Sequence, residues 1–70
     1  MPSDVRFADL ERMLERAGWT LVRVSGSHHI FSRPGHTPIS IPVHRKKVKH
    51  VYFTKVSKVI EQDRPQGDGA

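Results

Sequence analysis

Gly26-Ser27-His28-His29-Ile30-Phe31 brings together the residue types from which a small protein can build a proton-transfer site. An imidazole, with an ordinary pKa of about 6.5, is mostly neutral yet still basic at physiological pH. Gly-Ser favours a tight reversal and Ile-Phe suits a strand, so the histidine doublet falls where a strand begins. A side chain there is anchored by sheet on one side and open to a ligand on the other. Successive strand residues point to opposite faces, so only one of His28 and His29 can serve a given pocket. The bland reading of the pair is polar surface at a strand end, in a chain with five histidines. A metal site fits worst: the doublet cannot chelate from opposite faces, and neither carboxylate nor cysteine lies near it in sequence.

A second chemistry-bearing stretch follows. Arg45, Lys46, Lys47 and Lys49 fall within five residues, between His44 and His50. Such a run is often no more than solvated surface, but its setting gives it weight. The seven carboxylates lie toward the ends of the chain, at Asp4, Asp9, Glu11 and Glu15 and at Glu61, Asp63 and Asp68. From Arg16 to Ile60 the sequence holds nine Lys or Arg, all five histidines and no acid. That field wants an anion, and nucleic acid is the commonest partner because neutralising phosphates releases counterions. A membrane surface fits less well, since no stretch approaches the ~20 apolar residues that span a bilayer and no clean amphipathic helix lies in the basic span. Cysteine is absent, and the N-terminus lacks the apolar run of a signal peptide. The expectation is a soluble, cytoplasmic protein with no disulfide, no membrane segment and no cofactor.

The elements that must hold these residues are legible from periodicity. Phe7, Leu10, Met13, Leu14 and Ala17 recur at helical spacing, with Asp9, Arg12 and Glu15 placed for weak ion pairs on the other face. Ser3 or Asp4 would cap that helix, and Gly18 would stop it in the left-handed conformation. Residues 19–25 read as the first strand and 28–33 as the second. Residues 38–43 read as a third strand, demoted to an edge by Pro38 and Pro42. Trp19, beside the helix stop, is expected to plug the joint between helix and sheet rather than stand out as a base-stacking platform. Residues 44–50 read as a basic loop lying beside the Gly-Ser turn, and a second helix over about 52–60 carries Phe53, Val56 and Ile60 inward. The sum is one α+β domain over residues 1–62, a three-stranded antiparallel sheet with two helices on one face, followed by a flexible tail at 63–70. The double-stranded RNA-binding domain has this α-β-β-β-α order, an analogy of fold alone.

Several of these pieces together are similar to one family. Leu10-Glu11 through Leu14-Glu15, Ala17-Gly18-Trp19, Leu21-Val22-Arg23, the Gly26-to-Phe31 stretch, Ile41-Pro42-Val43-His44 and Val48-Lys49 resemble the HicA toxins of bacterial and archaeal toxin–antitoxin pairs. These are small RNA-cleaving proteins also described as mRNA interferases. The resemblance spans about residues 7 to 61 and implies a dsRBD-like fold with one catalytic histidine, here His28, after a turn shaped by Gly26. It also implies a HicB antitoxin that covers the site. The chain departs from the pattern at His44-Arg45-Lys46-Lys47, where many relatives carry a His-Pro or Gly-containing turn.

The mechanism that follows is simple. RNA supplies its own nucleophile, the 2′-hydroxyl, so a proton acceptor, a proton donor and charge stabilisation at phosphorus suffice without a metal. His28 would be the general base. Gly26, Ser27, His29, His44, Arg45, Lys46, Lys47 and Lys49 would contact RNA, the cations holding the phosphate as charge builds on it. The alternative is a non-catalytic RNA-binding module in which His28 is merely polar.

Overall fold

The computed structural model describes residues 4–62. Its elements run β1 (Val5–Arg6), α1 (Phe7–Arg16), β2 (Thr20–Ser25), β3 (His28–Ser32), β4 (Ile39–Pro42), β5 (Lys47–Val48) and α2 (His50–Gln62). The strands β2, β3 and β4 form an antiparallel sheet in that order, and β1 pairs separately with β5. The architecture is α+β, with the expected two helices and three-stranded sheet.

Two parts of the chain differ from the sequence reading. The N-terminal lead-in contains a strand: Val5 pairs with Val48 and Arg6 with Lys47. The basic segment is correspondingly a tight hairpin turn, a two-residue strand and the first turn of α2, not a loop. Neither difference carries a sequence signal, because two-residue strands are too short to show a period. The helix cap differs as well. Arg6 occupies the N-cap position of α1 and makes no side-chain cap bond, whereas Ser3 and the tail at 63–70 lie outside the described residues. The first helical N–H, that of Phe7, instead donates to the Lys46 carbonyl at 2.9 Å. One of the four donors a helix leaves unsatisfied is thereby met by the basic turn itself.

At its other end α1 closes as its sequence predicts. Gly18 has φ +94°, its N–H donates to the Glu15 carbonyl and that of Trp19 to the Leu14 carbonyl, at 3.0 and 2.9 Å. This is a Schellman closure, which needs a residue free to adopt positive φ. It turns Trp19 straight inward, where only 2% of its surface remains exposed. The indole sits at the joint of helix and sheet, tilted against His36 with ring centroids 5.5 Å apart.

Leu10 and Leu14 from α1, Trp19, Phe31 and Ile41 from the sheet side, Val48 from β5 and Val56 from α2 form the buried core. Phe7, Leu21, Ile39, Phe53 and Ile60 pack around it. One sheet face is thus covered by both helices. Alternation along β3 assigns the faces: Phe31 is buried beneath the helices and His29 lies on its side, while His28, Ile30 and Ser32 point the other way.

The edge status of β4 has a clear physical basis. The Val43 N–H donates to the Ser27 carbonyl at 2.7 Å, so His28 and Pro42 are a non-hydrogen-bonded pair. By the same alternation Ser40 and Pro42 aim their backbone groups away from β3. The proline's missing N–H therefore costs no ladder bond and blunts the outer edge.

Candidate functional site

The turn that presents the histidines is a two-residue hairpin. Ser25 pairs with His28, Gly26 has φ +60° while Ser27 stays outside the positive region, and this matches a type II′ turn, which wants glycine first. A Cβ at Gly26 would meet nothing within 4 Å, so the requirement there is conformational and not spatial. Ser27 is half-buried, and its carbonyl is held by Val43 as described.

The structure separates the doublet. His28 is exposed and opens β3, flanked across the sheet by Ser25 on β2 and Pro42 on β4. His29 is half-buried on the helical side, its ring centroid 4.5 Å from that of Phe7 and tilted by 54°. The Nδ1 atom of His29 is buried without a hydrogen-bond partner. One imidazole is therefore free to meet a ligand, and the other is packed.

The basic segment gathers at the same end of the sheet. His44 follows immediately on Val43, and the Ser27–Val43 hydrogen bond fixes the start of the segment against the histidine turn. His44 and Lys47 exchange both backbone hydrogen bonds at 2.9 Å, which closes a hairpin over Arg45 and Lys46. These two have φ +52° and +65°, the left-handed region that favours glycine or asparagine. The turn survives because its ends are bridged and its Lys46 carbonyl is bound by Phe7. His44, Arg45, Lys46, Lys47 and Lys49 all have exposed side chains. Lys49 leads into α2, its carbonyl accepting the Tyr52 N–H at 2.9 Å.

Arg45, Lys46 and Lys47 also line an open recess of about 550 Å³ together with Arg6, Phe7 and Ala8. Arg6 is a member that sequence reading missed, because only its pairing with Lys47 brings it there. On the polar face of α1, Asp9 is turned to Arg12, at 3.8 Å. A second missed cation, Arg23, pairs with Ile30 and so shares the face of His28. The signal was hidden by an irregularity between Leu21 and Arg23, which makes Val22 an extra residue and inverts the alternation behind it.

The arrangement offers an exposed imidazole at a rim, a basic turn hydrogen-bonded to the same rim, and no carboxylate in the sequence between Arg16 and Ile60. It can accept a proton and hold an anion. The histidines do not assemble: among the described residues no group of three or more His, Cys, Asp or Glu is placed to hold a metal ion. No helix among these residues is long and apolar enough to cross a membrane.

No curated protein matches the chain. A family model described as the HicA toxin of bacterial toxin–antitoxin systems matches residues 7–62, from the first residue of α1 to the last of α2. On that match the chain belongs to the HicA toxin family and is a toxin of a toxin–antitoxin system.

Proposed function

We propose that this toxin is an endoribonuclease that cuts mRNA, with His28 as general base. The observation that carries the reading is the exposed His28 at the head of β3, joined through the Ser27–Val43 hydrogen bond to the basic turn. In the proposed reaction the His28 imidazole takes the proton of a 2′-hydroxyl, and the 2′-oxygen attacks the adjacent phosphorus. The bond from phosphorus to the 5′-oxygen breaks, leaving a 2′,3′-cyclic phosphate and, once that oxygen gains a proton, a 5′-hydroxyl. His44 or water supplies the proton. Arg45, Lys46, Lys47 and Lys49 hold phosphate as charge builds on it, at a site where oriented cations need little reorganisation. Because the nucleophile belongs to RNA, the chemistry proceeds without a metal. Gly26 and Ser27 shape the approach, and His29, packed on Phe7, seats the strand.

Attack in line with the leaving oxygen is a geometry that a regular duplex resists and a flexible strand reaches, so the substrate is single-stranded message. A HicB antitoxin would silence this surface by laying carboxylates on the basic turn and blocking His28, since complementary charge speeds capture. Residues 1–62 act as one domain in the cytoplasm, where message is found.

Cleavage of an unstructured transcript by the parent protein and by His28→Ala tests the assignment. The variant should lose about 10²- to 10⁴-fold in rate while its circular dichroism and RNA affinity stay those of the parent. Parent activity should also survive a strong chelator. Cleavage by His28→Ala at the parental rate would remove the histidine from the mechanism.

A further inference from the structure

We propose that the face of the β2-β3-β4 sheet opposite the helices, which no element among the described residues covers, is the bed on which single-stranded RNA lies on one side of the cut, with Arg23 holding a backbone phosphate there. The inference rests on the reading of His28 as the cutting residue, and it assigns a surface that the basic turn does not include.

His28 belongs to that face, not to the helical side, so a strand whose ribose meets His28 must continue onto it or leave across the rim. The turn with Arg45 and Lys46 stands at the rim and can take one continuation. For the other, the pairing register gives the path. Ser25, His28 and Pro42 form the first row across the sheet, and Arg23, Ile30 and Ser40 form the second. Arg23 is thus the diagonal neighbour of His28, and such pairs lie about 7–8 Å apart, with their Cβ atoms somewhat closer. From there a guanidinium on its long stem reaches the phosphate beside the one being cut. Planar and permanently charged, it is suited to grip phosphate with paired N–H donors.

The composition of the face supports the same occupant. By the pairing register the face carries serines at 25, 32 and 40 and Thr20. Their hydroxyls both donate and accept, which fits phosphate and sugar oxygens. Ile30, half-buried at the centre, gives a base an apolar surface to rest on. The face carries no carboxylate to repel the strand, and Arg23 is exposed. A duplex is recognised by shape across its minor groove, whereas a bare strip of three short strands accommodates a single strand.

The experiment uses the full-length His28→Ala protein, so that RNA survives, and an unstructured oligoribonucleotide. Amide shifts are followed by NMR during titration, and the salt dependence of affinity is measured with and without a second change, Arg23→Ala or Lys58→Ala. Shifts are expected along Arg23, Ser25, Ile30 and Ser40 as well as the basic turn. Arg23→Ala should reduce the slope of log affinity against log salt by about 0.7, the value for one phosphate contact on a single strand. Lys58→Ala, which removes the same charge from α2, should leave it unchanged. Shifts confined to the basic turn and helices, or equal effects of the two substitutions, would overturn the proposal. Cleavage by the parent protein is scored separately: failure to cut with shifts on the open face would refute the ribonuclease reading and keep this binding face.

Discussion

His28 and His29 share a strand and a side-chain type, and the pleat alone divides them. Sequence periodicity establishes that they face apart, but which one faces the helices depends on Phe31 being the residue that the core takes, and that is settled by packing. With Phe31 inward, His29 two residues earlier must follow it, and His28 is left on the open side. The two should answer mutation differently. His29 Nδ1 is buried without a partner, a condition that costs about 1–3 kcal/mol for a fully desolvated group and less for this half-buried ring. His29→Leu removes that atom and keeps apolar volume against Phe7, so thermal unfolding should shift upward or stay level, by no more than about 1 kcal/mol. RNA cleavage should persist. A His29→Leu protein that is folded and inactive would transfer the chemistry to the packed ring. Arg23 shows the limit of reading at this scale: strict alternation places it with Leu21, and only the extra residue Val22 lets Leu21 pack on the core while Arg23 joins His28.

At the scale of elements, two hairpin turns build the site and obey the same rule with different residues. The turn before His28 uses glycine for its positive φ, and Gly26→Ala should destabilise by about 1 kcal/mol through backbone strain alone, read as a lower urea midpoint with unchanged slope. The turn over Arg45 and Lys46 places two bulky cations where glycine would be unstrained, and each stays in the left-handed region at φ +52° and +65°. Strain retained at a charged turn is the pattern expected where side chains serve binding. Lys46→Gly should therefore raise stability by about 0.5–1 kcal/mol and weaken RNA binding, with a shallower salt dependence. A gain in stability with no change in RNA affinity would show that the turn's charge is incidental. The helices, the Gly18 stop and the three main strands were legible because each runs for several residues with a clear period or punctuation. The β1–β5 pair was not, since its four residues acquire strand form only through contact between segments about forty positions apart.

Over the whole molecule, a chain of 70 residues has a stability on the order of 4 to 10 kcal/mol, and among the described residues the core that supplies it comprises seven buried apolar side chains. Every apolar residue in that core except Trp19 and Val48 belongs to a helical face or a strand whose period was visible; Trp19 was placed by the helix stop beside it, and Val48 needed β5 to exist before it had an inside. Phe31 is the pivot, because it is fully buried, is the fourth residue of the strand that begins with His28, and packs near Phe7, whose N–H holds the basic turn. Phe31→Ala should cost about 3–5 kcal/mol, a large fraction of the total, and leave a substantial part of the protein unfolded at 37 °C. Its loss of cleavage should differ in kind from that of His28→Ala. Lowering the temperature, or adding an osmolyte that favours the compact state, should restore activity to Phe31→Ala in proportion to the folded fraction and restore none to His28→Ala. If Phe31→Ala instead stays fully folded by circular dichroism and still fails to cut, the phenyl ring positions the histidine turn directly, and the division between a core that folds and a rim that reacts would not hold for this strand.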